Sequence, residues 1–113
     1  MSKKKRLQGV IAKARNGHII YEIKKAKPSF MPLLLELLKE EFSAGHPENE
    51  ETFVSSVSGD IEVEKVKLGY GWDDFTGVYI LSLCEQGDAL VQALASKINN
   101  RLKKVNYSDF SRM

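Results

Sequence analysis

Cys84 is the one side chain in the sequence whose type and setting suggest covalent chemistry. The stretch "SLCEQGD" puts it where an apolar run stops and a helical pattern starts, and a helix N-terminus favours a thiolate. Glu85 and Asp88 oppose that effect, because neighbouring carboxylates disfavour a second negative charge. The two histidines, His18 and His46, fall in a turn and an interhelical loop, and no spacing brings either to the cysteine. Cys84 therefore reads as structural, and no catalytic residue is assigned. Metal chemistry is equally poorly served. The histidines do not form an H-x-x-x-H pair, a single cysteine cannot make C-x-x-C, and Asp73-Asp74 stand outside any EF-hand pattern. No metal and no cofactor are expected.

The stretch "LGYGWDDFTGVYI", Leu68 to Ile80, resembles a phosphate loop only at first sight. Gly69 and Gly71 give G-x-G, but no third glycine follows at the needed spacing and the P-loop lysine is missing. Asp73 and Asp74 would repel a phosphate. The segment reads instead as a nine-residue connection, Gly69 to Gly77, between two strands.

What remains is binding. Tyr70, Trp72 and Phe75 interleave with Asp73 and Asp74 at the end of an acidic stretch that also holds Glu62 and Glu64. Aromatic anchors bring burial, and acids around them bring electrostatic complementarity to a basic partner. This set predicts a protein-binding surface of inhibitor or immunity type, acting on a basic protein such as a nuclease. The competing reading places Trp72 and Phe75 in the core as caps on the sheet. A second function class is nucleic-acid binding, through the basic arm Lys3, Lys4, Lys5 and Arg6 together with Lys13 and Arg15 on the first hairpin. A third reading is self-association into a homodimer through an exposed sheet face or edge.

Charge is distributed in blocks. Residues 1–27 carry nine basic and one acidic residue, net +8; residues 28–96 carry three and thirteen, net −10; residues 97–113 carry five and one, net +4. Such asymmetry points to charged partners or to blocks that face each other. The 113 residues, 42% hydrophobic and 28% charged, are enough for one globular domain with its own core. The longest apolar run, "FMPLLLELL", is too short to span a bilayer and is interrupted by Glu36. No membrane partner is expected, and the cytoplasm is the expected location.

These residues must be positioned by elements read from periodicity. A flexible arm over 1–6, one domain over 7–105 and a loosely ordered tail over 106–113 are expected. Asn16-Gly17 predicts a two-residue hairpin turn, with Ala12 opposite Tyr21 and Ala14 opposite Ile19 on one face. Lys13, Arg15 and His18 then project together from the other. Phe30, Leu33, Leu34, Leu37, Leu38 and Phe42 have helical spacing, with Ser29 as N-cap and Gly45 as C-cap. Residues 49–59 suggest a short helix carrying Phe53, Val54 and Val57. "DIEVEKVKL" alternates with a slip that a β-bulge at Glu64-Lys65 would absorb. "GVYILSLC" is apolar at nearly every position, as in a strand covered on both faces. A last helix opens at Gly87 with Asp88 as N-cap, and Leu90, Val91, Leu94, Ile98, Leu102 and Val105 form its stripe. The expected fold is α+β, in ββα(α)ββα order, with a four-stranded, mostly antiparallel sheet and helices packed on one face.

Overall fold

The computed structural model describes residues 6–112, so Lys3, Lys4 and Lys5 lie outside the described residues. Its first hairpin joins β1 (Val10–Lys13) to β2 (Ile19–Ile23) with a register one residue away from the expected one: Lys13 pairs with Ile19 and Ile11 with Tyr21. The cause is the turn. Ala14 N–H donates to His18 O at 2.8 Å and Gly17 N–H to Ala14 O at 3.0 Å, with Gly17 at φ +84°. Three residues, Arg15 to Gly17, therefore cross the turn, and glycine takes the left-handed position of a bulge. A one-residue slip exchanges the faces of a strand. Lys13 consequently shares the face of Ile19 and Tyr21, while Ala12 shares the opposite face with Ile20.

The sheet has six strands rather than four. After α1 (Met31–Phe42) come β3 (Glu48–Phe53), β4 (Ser56–Val63), β5 (Val66–Asp73) and β6 (Gly77–Ser82), and α2 (Glu85–Lys104) follows. All pairings are antiparallel, in the order β1-β2-β6-β5-β4-β3. Two misread segments account for the difference. The slip in "DIEVEKVKL" is a hairpin turn and not a bulge. Glu64 and Lys65 sit at φ +49° and +67°, so Val63 pairs with Val66 and Ile61 with Leu68 across a two-residue turn of the primed kind. Such a turn always pairs an odd position with an even one, which is why the alternation changes phase there. Residues 49–59, expected as a helix, are most of the β3–β4 hairpin. Their alternation is hidden because Gly59 occupies a core-facing position between Val57 and Ile61. The Tyr70 ring fills the vacant space: a Cβ on Gly59 would lie 2.7 Å from its hydroxyl.

Both helices pack on one face of the sheet, in a continuous core. Tyr21, Ile23, Ile61, Leu68, Val78 and Ile80 are fully buried from the sheet, as are Phe30, Leu34, Leu38, Val91 and Leu94 from the helical layer. Each such side chain contributes roughly 1.5–3 kcal/mol by leaving water. The helical stripes follow the expected spacing, although Leu33, Phe42 and Leu90 are only partly buried and Val105 is exposed. Their ends differ from expectation. Pro28–Phe30 form a 3-10 turn ahead of α1, Ser43 takes the left-handed C-cap at φ +53°, and Cys84, not Asp88, caps α2 by accepting Gly87 N–H on its sulfur at 3.4 Å.

Asp88 instead ties the first hairpin to α2. Its carboxylate accepts Ile19 N–H at 3.0 Å and stands 3.1 Å from His18 Nδ1. Asn99 does the same at the far end of that hairpin. Its amide bonds both backbone groups of Gly9, and its oxygen also accepts the Tyr21 hydroxyl at 2.6 Å. Within the tail, Tyr107 and Phe110 pack on Phe30 with ring centroids 5.5 and 5.9 Å away, and Lys27 N–H donates to Phe110 O at 2.7 Å.

Candidate functional site: the helix-free sheet face

No helix covers the second face of the sheet, and strand register states what it displays. One row across it reads Val10, Glu22, Tyr79, Gly71, Ser58, Glu51; the next reads Ala12, Ile20, Leu81, Gly69, Asp60, Glu48. The rows divide the face into two halves. The β1-β2-β6 half is mainly apolar, with Ile20, Tyr79 and Leu81 half-buried and Val10 and Leu83 exposed. The β4-β3 half is acidic, with Glu48, Glu51 and Glu62 exposed and Asp60 partly so. Between them runs β5, whose Gly69 and Gly71 put no side chain on this face.

Gly69 makes the floor of a hollow of about 260 Å³, walled by Tyr79, Leu81 and Leu83 on one side and by Asn49, Glu51 and Asp60 on the other. Gly71 is sterically required. A Cβ there would lie 2.3 Å from Val57 O and 2.6 Å from the Tyr79 hydroxyl. Tyr79 thus leans over the glycine, and burial together with the nearby Asp73 carboxylate raises its hydroxyl pKa. Asp60 accepts Asn49 Nδ2–H at 3.1 Å and has Lys67 Nζ at 3.8 Å, so the acidic wall is partly held in place from within. The edge strand β3 is exposed along its whole length.

The expected contact residues divide between the two faces. The "LGYGWDDFTGVYI" connection is mostly strand: β5 runs to Asp73, and only Asp74, Phe75 and Thr76 cross to Gly77. Tyr70 points to the helices, is 1% exposed and donates to Glu50 Oε1 at 2.6 Å; burial first, then that carboxylate, raise its pKa. Trp72 also lies on the helix side, where its indole N–H donates to Ala26 O at 3.1 Å. It caps the core. Asp73 closes the turn by accepting the N–H groups of Phe75 and Thr76 at 2.9 and 2.7 Å. Phe75 stands 93% exposed at the turn's tip. Glu62 belongs to the acidic half of the open face, and Glu64 lies in the β4–β5 turn.

The basic residues of the second reading are also dispersed. Lys13 is on the helix side of an edge strand and Arg15 is in the β1–β2 turn. Arg6 donates to Lys103 O at the end of α2, by the opposite end of β1. Among the described residues, no three His, Cys, Asp or Glu side chains come together as a metal site, and no helix is long and apolar enough to cross a membrane.

Tyr79, Leu81 and Leu83 were not anticipated as site residues. Two signals carried them. The unbroken apolar run of β6 arises because its second face, although uncovered, is apolar. The i, i+2 glycines of β5, expected in a nine-residue connection, instead leave one face of a strand without side chains. Comparison of the chain with protein-family models, with curated proteins and with solved structures finds no match.

Proposed function

We propose that the protein is a non-enzymatic binding module that takes a basic protein partner on its helix-free sheet face, in the manner of an inhibitor or immunity protein. The observation that carries this reading is the glycine-floored hollow, with an apolar wall on β6 and an acidic wall on β3 and β4. Exposed apolar surface rimmed by charge is what an interface needs: the apolar half supplies burial, and the acids supply steering and exclude acidic competitors. A partner element with one apolar side and Lys or Arg on the other fits both walls at once. The cytoplasm suits such a protein, with its free Cys84.

The test is photo-crosslinking in the native host, with the crosslinker placed either at Leu83 on the open face or at Glu36 on the exposed side of α1. The reading expects one dominant adduct from Leu83, to a basic segment of the partner, and none from Glu36. Equal labelling from both positions, or an acidic segment captured at Leu83, would overturn it.

A further inference from the structure

The end of the sheet where β2, β3 and β5 finish carries a second unexplained surface. Register brings two turns side by side there. Phe53 pairs with Ser56, Ser56 with Asp73 and Asp73 with Gly77, so the Val54-Ser55 and Asp74–Thr76 turns lie about two strand spacings, roughly 10 Å, apart. Each tip carries an exposed apolar side chain, Val54 at 107% and Phe75 at 93%, and Phe53 at the end of β3 is 63% exposed. Cations stand beside the Asp74–Thr76 turn. Lys24, Lys25 and Arg112 line one hollow with Phe75 and Asp74. Arg112 is fixed in place, its N–H donating to Lys25 O at 2.5 Å and its guanidinium to Asp74 O at 2.8 Å. Lys24 comes within 3.9 Å of Glu22, and Lys27 donates to Asp109 O at 3.3 Å.

We propose that this end of the sheet is a peripheral docking surface for an anionic lipid bilayer, with Phe75, Val54 and Phe53 entering the interface and Lys24, Lys25 and Arg112 meeting lipid phosphates. The shape favours this occupant. The apolar groups project from turn tips instead of lining a groove, which suits a soft planar layer. The cations sit beside the Phe75 tip, at headgroup depth when the tips are inserted. Val54 adds nothing to a nucleic-acid site, where a base needs an aromatic ring or a phosphate contact. A surface contact of this kind requires no membrane-spanning helix.

The experiment is co-sedimentation of the full chain with vesicles of phosphatidylcholine alone or with phosphatidylserine. Binding is expected only with phosphatidylserine, and it should weaken as salt rises. Phe75→Ser should lower the affinity about tenfold, and Lys24→Gln/Lys25→Gln about twentyfold. Neither change should alter the thermal unfolding temperature, since all three residues are exposed. Four results would overturn the proposal: no sedimentation with anionic vesicles; charge-dependent binding indifferent to Phe75→Ser; binding abolished by deletion of residues 1–5 but unchanged in the Gln and Ser variants; or release from vesicles by single-stranded DNA that itself binds in a Phe75-dependent way.

Discussion

Trp72→Phe separates a core cap from a surface anchor, and its effect can be worked from the contacts. Phenyl in place of indole forfeits roughly 30 Å² of buried apolar area, about 0.8 kcal/mol. It also removes the indole N–H that satisfies Ala26 O, in a residue that is fully buried. An acceptor stripped of its donor in such a place costs about 1–2 kcal/mol. The expected loss is therefore about 2–3 kcal/mol, or roughly 8–12 °C in Tm for a domain of this size. Urea unfolding followed by far-UV circular dichroism measures it, because the variant lacks the only tryptophan. Partner affinity should stay within about twofold, since Trp72 faces the helices. A stability change below about 0.5 kcal/mol, in the range of ordinary surface substitutions, together with a large loss of binding, would refute the assignment of Trp72 to the core.

Glu64→Asn/Lys65→Gly should raise stability by about 1–2 kcal/mol in urea titration, because both positions hold left-handed φ in a turn that favours Asn-Gly. The Ser82 hydroxyl, the Ile19 N–H and the His18 ring lower the Asp88 pKa to about 2 from an ordinary 3.8. The folded state thus favours the carboxylate: its contribution is complete above pH 3.8 and is lost as pH falls through about 2. Acid titration of the unfolding midpoint should show this decline over that window, and Asp88→Asn should remove the corresponding part of the slope.

The helices were the most legible part of the chain, because a stripe such as Val91, Leu94, Ile98, Leu102 repeats one buried face over about three turns. The strands were less so, each for a local reason. At Asn16-Gly17 the turn residues were recognised but not the third loop residue, Arg15, and that one position reversed the faces of β1. At Glu64-Lys65 neither residue is a usual left-handed one, so a turn passed for an irregularity within one strand. In β3 every side chain is exposed, so a periodic apolar signal had no cause to exist. For the site, the acidic and aromatic residue types were visible in the sequence, but their faces were not. Tyr70 and Trp72 alternate with Gly69 and Gly71, and only the pairing with β4 and β6 shows that the aromatics turn to the helices and the glycines to the open face.

The central claim is that a basic partner binds the acidic, glycine-floored face. Charge reversal tests it most directly: the affinity of the captured partner is measured by calorimetry for Glu48→Lys/Glu51→Lys on β3 and for Glu36→Lys/Glu40→Lys on the exposed side of α1. The β3 pair should weaken binding at least about tenfold at low salt, as a like-charge clash at an interface does, and the α1 pair should leave it within about twofold. Equal effects from the two pairs, or tighter binding after reversal on β3, would contradict it.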